Sequence, residues 1–251
     1  MIDTALDTTV TVGYPELVDV TARIFTARGL ASQRARQAAA ALVYGDASGL
    51  CSHGLTNLSR LYLPLFDSGR ADPAAEPRIV ADRGAALVLD AHRALGLWLA
   101  GEAMRIAVGR AAEYGVGLVS VRGATHIGCA GYHAVVAARH QMVGIVASNC
   151  GRQRIARPPG GRVALLGTNP LSIAAPAGRH HPYLLDMSTT AAPTGKIRGA
   201  AQAGQPIPQG WLADDDGRPV TDPAAYDRGE AHLLWLGEGF KGYGLGLAVE
   251  V

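Results

Sequence analysis

The chain is short of lysine and cysteine and has no long apolar run, and each shortage closes off a class of function. Only two of its 23 basic residues are lysines, Lys196 and Lys241; the rest are arginines, and 21 acidic residues leave a formal charge of +2. Both signs of charge are scattered without a basic stripe, which argues against a nucleic-acid partner. The three cysteines, Cys51, Cys129 and Cys150, form no C-x-x-C pair and no even-numbered framework. No metal site and no disulfide scaffold are expected, and a reduced, cytoplasmic setting fits. No uncharged apolar stretch reaches the length needed to span a bilayer, and Met1-Ile2-Asp3-Thr4 lacks the basic and apolar regions of a signal peptide. What is present is a chain of 251 residues, 48% hydrophobic, enough to bury one large core or two lobes sharing an interface.

Hydrophobic periodicity divides the chain into a helical first part, about residues 1–75, and an α/β remainder, 76–251. Val18, Ala22, Ile24, Phe25 and Leu30 sit at helical spacing with Gly29 as a C-cap, and Ser32 reads as the N-cap of an Ala-rich helix over Arg34–Ser48. Leu58, Leu61, Tyr62 and Leu65 make a short amphipathic stretch, closed by a loop from Asp67 to Pro73. Strands are predicted over Arg78–Asp82, Ala86–Asp90, Leu118–Val121, Val143–Ala147, Arg162–Pro176 and Tyr183–Met187, with helices over Gly96–Tyr114 and Tyr132–Gln141. This alternation argues for an α/β domain. Ala200–Ala203 reads as a single helical turn, and Gln205–Tyr226, with four prolines, as an extended surface loop.

Gly237-Glu238-Gly239-Phe240-Lys241-Gly242 matches G-x-G-x-x-G after an apolar run. The dinucleotide fingerprint also needs a crossover helix, a further strand and an acid about twenty residues on. None of these follows, so a Rossmann reading is rejected. Lys196 and Lys241 both lie in Gly-flanked segments. Chance accounts for this as well as a need for two compact ammonium groups at a ligand does.

Ser52-His53-Gly54, His126 after a predicted strand, and Asp186 at the end of another are each ambiguous alone. Such a histidine is more often a packing residue, and such an acid is equally a helix N-cap. Their order along the chain is more specific. Asp46–Asp72, with Ser52-His53-Gly54, resembles the "D-S-H-G" region of the malate/L-lactate dehydrogenase family. Gly117–Asn149 resembles its strand, "N-H-F-G-x-x-G-Y" turn, helix and strand. Leu166-Gly167-Thr168-Asn169-Pro170, Leu185-Asp186-Met187-Ser188-Thr189, Gly195-Lys196-Ile197, Pro206–Trp211 and Lys241-Gly242-Tyr243 follow in that family's order, covering nearly the whole chain.

The resemblance implies an L-sulfolactate dehydrogenase-like α/β fold, with a helical N-terminal region and a non-Rossmann mixed-sheet domain that binds NAD or NADP, in a homodimer. It implies reduction of a 2-oxo acid to a 2-hydroxy acid, or of a cyclic imino acid to an amino acid. His53 is then the expected acid/base, Ser52 its hydroxyl relay, and His126 the group that polarises the substrate or holds its carboxylate. Asp186 would orient a histidine or contact the nicotinamide end. Ser148, Asn149, Thr168, Asn169 and Ser188, with Lys196 and Lys241, would line the cofactor.

The chain also departs from the pattern. Cys51 stands where the signature opens with an acid. Asn57 stands where the family commonly has an Arg suited to gripping a carboxylate, with Arg60 one turn on as a possible substitute. Thr125-His126-Ile127 replaces Asn-His-Phe and alters the substrate lining. The family continues beyond the segment that begins at Lys241, so a C-terminally short copy, or one completed by another chain, is expected. A catalytically silent binding or assembly subunit is the competing class, and nicotinamide binding separates the two.

Overall fold

The computed structural model describes residues 11–151, 153–237 and 239–251. The reading of Met1–Thr4, and Glu238 of the glycine motif, lie outside the described residues. Two antiparallel helices open the fold, α1 (Tyr14–Ala27) and α2 (Ser32–Ala47). Ala35, Ala38, Ala39 and Ala41 of α2 are buried, and their small side chains let neighbouring helices approach closely. Ser32 is the first helical residue; Ala31 occupies the cap position and makes no side-chain cap bond, which corrects the N-cap assignment.

A short 3₁₀ turn, Cys51–His53, is followed by a π-helical turn over Leu58–Tyr62 and then α3 (Leu63–Asp67). Pro64 has a physical part in this widening. It has no N–H to give the preceding turn, and its ring crowds the carbonyl four residues back. Strands β1 (Arg78–Arg83) and β2 (Ala86–Asp90) pair antiparallel. Helix α4 (Gly96–Tyr114) crosses over to β3 (Leu118–Arg122), which pairs parallel to β2 from Ala86↔Leu118 to Asp90↔Arg122. Gly115 stops α4 with φ +81°, a left-handed conformation that favours glycine.

Helix α5 (Ala130–Arg139) and strands β4 (Gly144–Ala147), β5 (Leu171–Ala175) and β6 (Tyr183–Met187) form a second, wholly antiparallel sheet. The strand expected over Arg162–Pro176 is therefore confined to its last third. Upstream, Leu166 makes only a bridge to Ala156. Helix α6 (Thr194–Gln202) is nine residues long rather than one turn, because Ile197 is driven fully inside the local core. The predicted surface loop 205–226 instead contains β7 (Leu212–Ala213), β8 (Pro219–Val220) and most of α7 (Ala224–Asp227), anchored by buried Ile207, Leu212 and Ala225. With β9 (His232–Leu233) they make a third small sheet, in which β9 runs antiparallel to β7. Helix α8 (Phe240–Glu250) follows, so the glycine motif sits after an antiparallel strand and is no Rossmann crossover.

The largest core joins α1, α2 and α3 to the start of α4, through Phe25, Leu42, Tyr62, Leu95, Leu97 and Leu99. It therefore fixes the helices that carry the Ser52-His53 turn against the first sheet's crossover helix. Among the described residues no helix is long and apolar enough to cross a membrane.

Candidate active site

The Ser52-His53-Gly54 turn is clamped from below by the end of α2. A Cβ on Gly45 would stand 2.8 Å from the His53 carbonyl, so glycine is what allows the two backbones to meet. The next residue, Asp46, accepts a hydrogen bond from the Leu55 N–H at 2.7 Å. Its carboxylate thus steadies the turn from the helix, although Cys51 carries no charge at the head of the signature. From above, Gly195 of α6 presses on Ser52, which brings the first turn of α6 and exposed Lys196 beside the turn.

Within this clamp the Ser52 hydroxyl lies 2.9 Å from Nδ1 of His53. The ring of His53 stacks on that of His126, with centroids 5.8 Å apart and planes 21° apart. His126 comes from the loop between β3 and α5. Its side chain is exposed on one side, yet protein surrounds it at depth, and that desolvation, followed by the neighbouring His53, pushes its pKa down to about 4. Burial also holds His53 below the usual histidine value. Behind His126, the hydroxyl of fully buried Tyr62 reaches Nδ1 at 2.7 Å, and the Gly128 N–H donates to the same nitrogen at 3.2 Å. His133 is wholly buried as well, and its Nε2 donates to the Ile127 carbonyl at 2.8 Å, fixing the loop from the other side.

Asp186 lies on β6 and accepts a 2.7 Å hydrogen bond from the N–H of Gly131, in the first turn of α5. It is a helix cap supplied by a neighbouring strand. Desolvation nonetheless raises its pKa, with the Gly131 bond opposing the rise. Burial, with the charges of Asp186 and Asp46 next, lifts the Cys129 thiol to about 12, so both carboxylates lie close to the loop that carries His126. Among the described residues Asp186 bonds no histidine.

Three residues expected to meet ligands have other tasks here. Asn57 is turned inward, and its amide donates to the Ser52 carbonyl at 2.7 Å. A side chain committed to its own turn cannot replace a guanidinium at a carboxylate. Thr125 accepts from Gly96 N–H at 3.0 Å, tying the His126 loop to the start of α4. Asn169 is fully buried, donates to the Gly246 carbonyl and to Glu250, and accepts from Cys150 N–H. Its side-chain amide is engaged inside the protein, where it braces a loop. Arg60 is exposed, and its charge is felt by Asp227 of α7 rather than by the histidines.

Ser148, Asn149, Thr168 and Ser188 gather where β4 ends, β5 begins and β6 ends. The bond from Ser148 N–H to Pro170 and that from Thr189 N–H to Thr168 hold these segments together. Exposed Lys241 opens α8, which is pinned to the same place by the close backbone approach of Gly242 to Thr189 and Leu236. Hydroxyl and amide groups with two ammonium groups are a donor set suited to a dinucleotide's sugar, amide and phosphates. Among the described residues no three His, Cys, Asp or Glu side chains converge as a metal ligand set. Sequence reasoning missed Asp46, Tyr62 and His133, each of which reads locally as ordinary helix or core.

Residues 12–251 match the model of the family described as malate/L-lactate dehydrogenase, and the chain belongs to that family. It is 34% identical over 235 residues to a malate dehydrogenase of Pyrococcus horikoshii, covering 91% of this chain and 64% of the relative. It is 36% identical over 223 residues to an L-sulfolactate dehydrogenase of Methanocaldococcus jannaschii, covering 89% and 63%. The chain thus spans less than two thirds of the length of either curated relative. Among solved structures, malate dehydrogenase from Entamoeba histolytica superposes with a TM-score of 0.90 at 29% identity, over 97% of this chain and 70% of that one. The α/β fold is that of the malate and sulfolactate dehydrogenases.

Proposed function

We propose that the chain is a nicotinamide-dependent oxidoreductase acting at C2 of a 2-oxo or 2-hydroxy acid. The observation that carries this reading is the stacked pair of His53 and His126, two imidazoles side by side with unlike hydrogen-bond partners. Paired titratable groups held in different environments are how a site divides acid from electrophile. Relatives whose names specify malate, sulfolactate and lactate support the substrate class.

When bound, NADH or NADPH supplies the hydride. Ser148, Asn149, Thr168, Ser188, Lys196 and Lys241 would hold it. His126 presents Nε2, the nitrogen left open by its bonds to Tyr62 and Gly128, to the carbonyl oxygen where charge develops. His53 gives that oxygen its proton in reduction and takes it back in oxidation, with Ser52 orienting the ring through Nδ1. Asp186 holds the start of α5, and with it the adjoining His126 loop.

A second reading, reduction of a cyclic imine with His53 protonating nitrogen instead of oxygen, is favoured by one structural neighbour. That neighbour is titled delta1-piperideine-2-carboxylate reductase, from Pseudomonas syringae pvar. tomato. Relatives' names include both NADP(+) and NAD(+), so the cofactor belongs to the same test. A panel of 2-oxo acids and cyclic imines, with both cofactors and followed by nicotinamide absorbance, decides among these. His53→Ala is expected to abolish turnover while nicotinamide fluorescence still reports binding. Absence of nicotinamide binding by the folded chain overturns the enzyme reading in favour of a silent subunit. The homodimer and the cytoplasmic setting belong to this proposal too, and light scattering tests the former.

A further inference from the structure

We infer that Tyr62 is a positioning residue that holds His126 as the neutral Nε2–H tautomer, making it a fixed hydrogen-bond donor to the substrate rather than a second proton reservoir. The catalytic half of this inference rests on the function proposed above; the tautomer rests on geometry alone.

The tautomer follows from what each group can do. A backbone N–H only donates, so the Gly128 bond to Nδ1 of His126 requires a bare lone pair there. The Tyr62 oxygen lies 2.7 Å from the same nitrogen, so its hydroxyl donates as well. Tyr62 is fully buried, and its hydroxyl has no other hydrogen-bond partner among the described residues. A neutral imidazole with Nδ1 bare carries its hydrogen on Nε2. An imidazolium would need a hydrogen on Nδ1, pointing at the Gly128 N–H, which cannot accept it. The arrangement therefore fixes both tautomer and charge.

His53 is held differently. Its Nδ1 partner is a serine hydroxyl, which donates or accepts according to the ring's state. His53 can gain and lose a proton without breaking that contact, whereas protonation of His126 at Nδ1 breaks its bond from Gly128 N–H. The stacked rings thus have separate tasks, and the π-helical turn over Leu58–Tyr62 is what delivers the phenol to its place. π-turns of this kind recur where a helix must re-aim a side chain for function.

Protein labelled with ¹⁵N-histidine tests the tautomer without any assay of activity, the His126 signals being assigned by their loss in His126→Asn. Expected at neutral pH are a pyrrole-like Nε2 and a pyridine-like Nδ1. A protonated Nδ1 overturns the inference. In Tyr62→Phe, which keeps the ring and its packing, the Nδ1 signal should shift because the nitrogen keeps only the weaker of its two donors, Gly128 N–H. Turnover should fall by roughly tenfold to a hundredfold, with nicotinamide affinity unchanged. Unaltered His126 signals and turnover in a folded Tyr62→Phe protein overturn it too. If that variant does not fold, the wild-type spectrum decides. If His53→Ala keeps full activity, the proposed reaction fails, while the spectrum still judges the tautomer.

Discussion

Gly195 lies so close over Ser52 that a Cβ added to it would stand 2.7 Å from the serine Cβ, nearer than such atoms ever sit. The start of α6 and the Ser52-His53 turn are therefore in direct contact, and the placing of one sets the placing of the other. Gly195→Ala should push the two apart by a fraction of an ångström. Turnover is expected to fall by about tenfold or more, because misplacing a reacting group is costly, while the melting temperature drops only slightly. Equal loss in both would show that α6 supports folding alone.

Asp46 should matter through its acceptor role. Asp46→Ala leaves the Leu55 N–H without its partner, which costs about 1–2 kcal/mol, read as a lower urea midpoint. Asp46→Asn keeps an acceptor oxygen and should recover part of the loss. An unchanged midpoint in the alanine variant would remove Asp46 from the support of the turn.

His133 makes stability depend on pH. Its burial lowers its pKa to about 4, with the charge of Arg105 adding to the fall and the Ile127 bond opposing it. Its Nδ1 has no partner among the described residues. A histidine whose folded pKa lies below its unfolded value stabilises fully above about 6.5, and that stability drains away as pH falls towards 4. The span corresponds to about 3 kcal/mol. Urea midpoints measured across this window should fall with acid, and His133→Gln should flatten the slope. A slope unchanged by that substitution contradicts the assignment.

In the proposed reaction His53 sets the pH profile of turnover. Oxidation needs it unprotonated, and burial holds its pKa below the ordinary histidine value. The rise of kcat/KM for the hydroxy acid with pH should be complete at or below neutrality, whereas reduction should weaken over the same range. A rise centred above 7 would point to a different base.

Much of the frame was legible because its segments repeat a simple period. Short apolar runs bounded by turn residues marked β1, β2, β3 and β6, and the apolar stripe of α4 sat between clean stops at Gly96 and Gly115. Helix α6 was read short because Gly195 and Gly199 lower its propensity, while what forms it is the burial of Ile197 against distant residues. Likewise β7, β8 and α7 were hidden among prolines, since their pairing is set by β9 and by Ile207 rather than by local pattern. At the site, Ser52, His53 and His126 stood out because their neighbours follow a motif. Tyr62 did not, because a tyrosine among leucines reads as core until its hydroxyl is seen against a nitrogen 64 positions away. Asn57 and Asn169 are ambiguous in the sequence for the opposite reason. Asparagine suits a ligand and a buried brace equally, and only burial tells them apart.

Asn169 joins three segments that are far apart in sequence: the turn at Cys150, the loop before β5 and the body of α8. Its backbone is held at φ +33°, in the left-handed region that few residues other than glycine and asparagine enter. One sealed amide thus latches the last helix to the end of the second sheet where Ser148 and Thr168 lie. In amide hydrogen exchange these segments should open together as a single cooperative unit, with a shared free energy of opening. Local fluctuation of the loop proposed to face the cofactor should thereby be coupled to the unfolding of α8.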